Sequence, residues 1–209
     1  MTTATSAQNW ELFGFKPDAT QDSELLAGLG FVPGLRELLA VRQVHALEHA
    51  TVWVLSESAR TGRPVPDSAP PPDNESLGGM STDTGFYLYG NVSAVKLRQA
   101  VLTALTRLQT GEWNLALHPR CGTNLSVEML VGVGLTFGFN QLLPKSPLAQ
   151  LMGLGLAATT ASQIAPDLGQ VVQRYITTAI PFNLALEEIR PTRDLWGRSA
   201  HFVRVRWIN

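Results

Sequence analysis

Residues 35–59 read Leu-Arg-Glu-Leu-Leu-Ala-Val-Arg-Gln-Val-His-Ala-Leu-Glu-His-Ala-Thr-Val-Trp-Val-Leu-Ser-Glu-Ser-Ala, and the reading of this stretch decides the fold. Its apolar positions Leu35, Leu38, Leu39, Val44, Leu47, Val52 and Leu55 recur at three- and four-residue spacings, the period of an α-helix. Pro33-Gly34 marks a boundary before them. The spacing predicts one helix from Leu35 to Ala59. On it His45 and His49 lie one turn apart on one face, so both imidazoles can reach a single ion, with Glu48 on the same side. His-x-x-Glu-His is the inverted zincin arrangement, two metal-ligating histidines and a glutamate general base. The alternative is that both histidines pack on the inner face of the helix with Glu48 as partner.

Working outward, Thr2 to Gly34 shows no sustained period and reads as a mobile N-terminal arm, 1–32. Residues 61–80 hold Pro64, Pro66, the run Pro70-Pro71-Pro72 and Gly78-Gly79, a loop composition. Gly85 to Tyr89 is aromatic-rich and extended. Ser93 caps a helix with apolar Val95, Leu97, Val101, Leu105 and Leu108, and Gly111 stops it. Trp113 to Leu117 reads as a strand, which makes a strand, helix, strand crossover whose second strand ends at His118.

There the chain reads His118-Pro119-Arg120-Cys121-Gly122-Thr123-Asn124. Three of the 4 histidines and the single cysteine fall in the two clusters, which favours a metal over packing. His118 is the candidate third ligand and Cys121 the fourth. If Cys121 coordinates, the site is closed and structural; if it stands off, water completes a tetrahedron and hydrolysis becomes possible. Arg120 is placed to steady an anionic substrate or the Glu48 carboxylate, or is simply solvated. Glu128, early in the next helix, is a weaker supporting acid or a charge favoured by the helix dipole. His201 stands apart in a late strand.

Leu125 to Leu143 and Leu148 to Ile164, joined by Pro144-Lys145-Ser146-Pro147, hold only Glu128 as a charge. Nineteen helical residues span roughly 28 Å, near the thickness of a bilayer core. Gly153, Gly155, Ala157 and Ala158 offer the small surfaces on which membrane helices pack. These runs read as a transmembrane hairpin, and the alternative is a buried hairpin, which Thr159, Thr160, Ser162, Gln163 and a mean hydropathy of +0.05 would suit. Lys145 at the turn against Arg120, Arg174 and Arg190 at the other end puts the domain on the cytoplasmic side. Later, Val203, Val205 and Trp207 alternate with Arg204 and Arg206 as a strand, with Leu184 to Ile189 as its partner.

The 209 residues carry 16 basic and 17 acidic side chains, a formal charge of -1, which leaves no electrostatic footprint for nucleic acid. Charged residues are 16% and hydrophobic ones 44%, a charge deficit concentrated in the hairpin. One cysteine cannot form an internal disulfide. Met1 to Gln8 lacks the basic start and apolar run of a cleaved signal peptide.

With these residues in view, the chain resembles an uncharacterised membrane-associated family described as predicted metal-dependent enzymes. Its members carry Tyr-His-Gly-Ala-Glu-His-Lys and later His-Pro-Arg-Cys-Gly-Thr. The resemblance runs from Val44 to Ile189 with gaps and includes Gln173-Arg174-Tyr175-Ile176-Thr177-Thr178. The chain is similar also, and more closely, to cyanobacterial and plastid-lineage proteins with a His-Ala-Leu-Glu-His-Ala-Thr helix and a Gly-Phe-x-Leu-Tyr-Gly strand, here Gly85 to Gly90. It departs from the first family at Val44 and Ala50, so roles of the Tyr and Lys found there are absent here. The resemblance implies a metal and a membrane, and an enzyme more weakly.

The reading is an α+β fold, a small helix and strand domain carrying the His-x-x-Glu-His helix plus a two-helix transmembrane hairpin. Its parts are the arm 1–32, a metal-binding part 33–124 with the loop 61–80, the hairpin 125–165, and a C-terminal segment 166–209. The expected function is a membrane-associated zinc hydrolase of peptidase type, with one divalent ion on His45, His49 and His118 and Glu48 as general base. Membrane lipid and a peptide or protein substrate are the expected partners. The rival is a non-catalytic assembly or scaffold protein whose zinc site is closed by Cys121.

Overall fold

The structure is a computed structural model that describes residues 16–58 and 73–208. Readings that concern 1–15 and the Pro-rich stretch 61–72 lie outside the described residues. The fold mixes helices with one four-stranded antiparallel sheet. The chain forms two compact units, Met1–Leu117 with Thr178–Asn209, and His118–Thr177.

Unit one holds α1 (Gln21–Leu29), α2 (Leu35–Ser58), β1 (Gly78–Thr82), β2 (Gly85–Tyr89), α3 (Ala94–Gln109), β3 (Leu184–Arg193) and β4 (Ser199–Trp207). The sheet order is β1-β2-β4-β3, every pair antiparallel. Alternation puts Phe86 and Leu88 of β2 and Val203 and Val205 of β4 in the core while Arg204 and Arg206 face water. Val44 and Leu47 of α2 and Leu97, Val101 and Leu108 of α3 fill the same core. The cap on α3 is as expected, with Ser93 Oγ accepting the Lys96 N–H at 3.4 Å. Gly111 follows at φ 110°, a left-handed conformation that glycine adopts without strain.

Four expectations are corrected in unit one. Residues 21–29 of the supposed arm form α1, because its buried contact is polar: Gln43 Nε2 donates to Asp22 Oδ2 at 2.6 Å and to Asn183 Oδ1 at 3.1 Å. Hydrophobic periodicity cannot report such a face. Gly78 to Met80 belong to β1 and not to a loop. Trp113–Ala116 is a 3₁₀ turn, closed by Leu115 N–H to Glu112 O at 3.1 Å and Leu117 N–H to Asn114 O at 3.1 Å. The expected crossover is therefore not formed, and β2 pairs antiparallel instead with β1, through a turn at Asp83-Thr84, and with β4.

Unit two holds α4 (Gly122–Leu142), α5 (Pro147–Val172) and a π-helical turn, Gln173–Thr177. The second helix runs beyond the expected Ile164 and carries Pro166 in its interior. Its buried residues are Gly153, Ala157, Ala161, Ala165 and Gly169, one every fourth position, a ridge of small residues set against α4. A β-carbon on Gly153 would lie 2.6 Å from Leu143 Cδ1, and one on Gly169 would overlap the Asn124 amide. Gly155 and Ala158, expected on this surface, point away from it. Among the described residues one helix, α4, is long and apolar enough to cross a membrane, so the expected pair of spanning helices reduces to a single candidate by length and composition.

The β3–β4 turn is built on Asp194. Its Oδ1 accepts the N–H groups of Trp196 and Arg198, both at 2.9 Å, and its Oδ2 accepts Arg198 Nε at 2.6 Å and the Tyr89 hydroxyl at 2.9 Å. Burial pushes the carboxyl up, but these donors outweigh it and hold it at about 2. The folded value lies below the unfolded one of about 4, so the contribution to stability is complete above that pH and is lost as pH falls through 2. Acid titration of wild type against Asp194→Asn should show a stability gap at neutral pH that closes across this window. A gap that persists at the acid end would contradict the assignment. In the core, Gln43→Leu should cost about 1–3 kcal/mol in chemical denaturation, because it strands the buried Asp22 and Asn183 side chains.

Candidate metal centre and its buried carboxylate

The turn of α2 from His45 to His49 is held from two sides within unit one, by the 3₁₀ turn and by β1. The rings of His45 and His49 lie 4.3 Å apart, centroid to centroid, as the four-residue spacing dictates. His49, buried, places Nδ1 2.7 Å from the Ala116 carbonyl. A carbonyl only accepts, so Nδ1 carries the ring proton and Nε2 presents its lone pair, the tautomer a metal needs. One helical turn onward, Trp53 Nε1 donates to Leu117 O at 2.9 Å. The 3₁₀ turn that replaces the expected strand thus lies along α2 and brings the chain to its histidine turn.

Glu48 is 8% exposed and lies between α2 and β1. Ser81 Oγ donates to Glu48 Oε2 at 2.7 Å. A β-carbon at position 79 would overlap the Glu48 carboxylate, so β1 can approach this closely only with glycine there. Burial raises the Glu48 carboxyl, and the Ser81 hydrogen bond and the nearby His45 offset only part of that rise.

The other expected residues lie in unit two. The His118 backbone is held by Gln173, whose Oε1 accepts the His118 N–H at 2.9 Å and whose Nε2 donates to His118 O at 3.1 Å. His118 Nδ1 accepts the Arg120 N–H at 3.3 Å, which puts the ring proton on Nε2. Cys121 is the N-cap of α4, its Sγ accepting the Thr123 N–H at 3.4 Å. Arg120 and Glu128 are exposed. His201 lies in β4, in register with Leu88 and Pro191.

Gly79, Ser81 and the Ala116 carbonyl are supporting groups whose place at the site the sequence does not reveal. Gly78-Gly79 carries a faint signal as a pair of adjacent glycines. Nothing in the chain order connects Ser81 with a helix thirty residues earlier.

A family model described as a domain of unknown function, DUF6391, matches residues 40–189. An uncharacterized protein of Picosynechococcus sp. is 57% identical over 198 residues, which cover 95% of each chain. No solved structure matches.

Gly79→Ala should lower stability by roughly 1–3 kcal/mol in thermal or chemical unfolding, since the methyl must displace the carboxylate or the strand. Gly78→Ala, where an added carbon meets only Tyr89 Cδ2 at 4.0 Å, should change it far less. Equal effects at the two positions would show that Glu48 is not confined by β1.

Proposed function

The chain belongs to the DUF6391 family, and from that premise we propose that it is a membrane-associated zinc hydrolase of peptidase type in which Glu48 is the general base. The observation that carries this reading is the turn of α2 on which His49 has its tautomer fixed by Ala116, His45 stands beside it, and Glu48 is buried against Ser81. Neutral imidazole nitrogens suit zinc, and a carbonyl behind one of them is the support such ligands usually have. We take His45 and His49 as the first two ligands and the His118-to-Cys121 stretch as the source of the rest. Cys121 is the favoured third donor, because a sulfur at a helix N-terminus faces the positive end of the dipole, an environment that suits a thiolate. His118 would need its ring proton moved from Nε2 to serve through that atom.

Zinc, when bound, supplies Lewis acidity that makes a water acidic near neutral pH and polarises an amide carbonyl. Glu48 does the proton work: its carboxylate takes the proton of the attacking water and delivers it to the leaving amine. Ser81 fixes Oε2 and so orients the other oxygen. Arg120 is proposed to meet an anionic group of the substrate. We place α4 in the bilayer with α5 beside it and unit one on the cytoplasmic side, the arginine-rich end of the hairpin, which makes membrane lipid a partner and a peptide or protein the substrate.

One observation favours a second reading. The Glu48 carboxylate is tied into the sheet by Ser81 and covered at Gly79, as a purely structural acid would be. In that case His45, His49, His118 and Cys121 close the site and the protein is a non-catalytic assembly factor with a structural zinc.

Elemental analysis of detergent-purified protein should find one zinc per chain, with His45→Ala and His49→Ala each weakening retention at least about tenfold. Unchanged zinc in both variants would end both metal readings. Glu48→Gln should retain zinc and fold yet lower cleavage of a quenched fluorescent peptide library by about 10²–10⁴-fold. Cleavage that survives it would remove Glu48 as base.

A further inference from the structure

β1 is the outermost strand of the sheet, paired on one side with β2. One hydrogen bond between β2 and β4 fixes which of its amides face outward. Val205 N–H donates to Thr84 O at 3.0 Å, and in an antiparallel ladder the bonded pairs then alternate. Thr84, Phe86 and Leu88 therefore direct their amides toward β4, and Gly85, Tyr87 and Tyr89 direct theirs toward β1. Their partners Thr82, Met80 and Gly78 use their amides inward. Gly79 and Ser81 are left with N–H and C=O pointing to the outer edge.

These are the two residues of β1 that meet Glu48: Ser81 donates to its carboxylate, and Gly79 is glycine because the carboxylate fills the space of its β-carbon. We infer that the outer edge of β1 is the substrate-binding rail of the proposed hydrolase, pairing with an extended peptide that adds a fifth strand beside Glu48. The inference rests on the hydrolase reading for the cleavage and stands by itself for the binding.

The occupant follows from the spacing. Two donor–acceptor pairs two residues apart, about 6.8 Å along the strand, match the repeat of an extended polypeptide. Gly78 to Thr82 has no charge and no proline, the devices by which edge strands are usually kept from pairing. Gly79 is exposed, with no side chain of its own to obstruct an incoming backbone. The edge selects for main chain and not for side chain, so the substrate class is unfolded or loop-extended peptide of relaxed sequence. A folded helix has its amides satisfied internally and cannot pair here.

The test is amide hydrogen exchange at Gly79 and Ser81, read by NMR on full-length Glu48→Gln protein selectively labelled with ¹⁵N at glycine and serine. It is run with and without a degenerate octapeptide mixture, and again with the same mixture N-methylated at alternate residues, and a second sample is labelled at methionine. The expected result is that exchange at both amides slows at least about tenfold with the first mixture and not with the second, while Met80, already bonded to β2, is unchanged in the methionine-labelled sample. Wild-type chain under the same conditions gives a second reading in case the substitution disturbs β1. No slowing with either mixture, or equal slowing with both, overturns the inference. Slowing that appears without peptide and grows with protein concentration overturns it in favour of pairing between two copies of the chain. Zinc content is measured on the same samples. Zinc that depends on His45 and His49 without amide protection leaves the metal reading standing and sinks the rail, whereas protection without zinc supports the rail and sinks the metal reading.

Discussion

A carboxylate taken out of water is the constraint around which unit one is arranged. Burying a charge uncompensated costs several kcal/mol, so the surroundings of Glu48 have to supply what water would. The Ser81 hydroxyl supplies one hydrogen bond, and the β1 backbone at Gly79 packs closely against the carboxylate. Each demands a small residue on β1 and a short distance between β1 and α2. That distance in turn fixes how the sheet lies on the helix, and hence which residues of β2 and β4 enter the core. An apolar side chain at position 48 would satisfy the fold more simply. The acid stands one residue before a histidine whose tautomer is fixed by the Ala116 carbonyl.

Much of this was legible from residue order, and what was hidden follows a pattern. Helix α3 and strands β2 and β4 declare themselves because each buries one apolar face and so shows its period, 3.6 or 2, in the chain, and α2, buried on nearly all sides, still carries apolar residues at three- and four-residue spacings. Helix α1 does not, because its buried face is Asp22 and its partner is the amide of Gln43. Strand β1 reads Gly-Gly-Met-Ser-Thr and has little strand preference of its own; β2 makes it a strand. Trp113 to Leu117 misled in the other direction, since a 3₁₀ turn with Trp113 and Leu115 buried and Asn114 exposed imitates the alternation of a strand. In the centre itself His45, Glu48 and His49 were readable because they share one helical turn. Ser81, Gly79 and Ala116 were not, because their roles exist only after distant segments meet.

Unit two follows a different packing rule. Its helices join through a ridge of glycine and alanine on α5, with nothing larger than a methyl group on that side of the seam. Large apolar side chains such as Leu125, Leu130, Val133 and Phe137 of α4 point outward. In water this inverts the usual economy of a helix pair, in which large side chains meet between the helices. In lipid it is the ordinary one, since tails solvate leucine and close backbone contact is what holds helices together.

Unit one is discontinuous in the chain. Leu117, its last residue before the insert, is bonded to Trp53, and Thr178, the first after it, accepts Arg42 Nη2 at 3.2 Å while Ala179 N–H donates to Arg42 O at 3.0 Å. Departure and return are thus fastened to the same helix. During synthesis this becomes a matter of timing. The β1–β2 hairpin leaves the ribosome long before β4, which must take the place next to β2 in the middle of the sheet. Until then the nascent chain carries β2 with one side unpaired, and the two helices of unit two are made before β4 is available to close the sheet. The contacts of Glu48 and His49, with Ser81, Gly79 and Ala116, all lie in the part of the chain made before the insert, so the centre of unit one can be set while the sheet beside it is still open on one side.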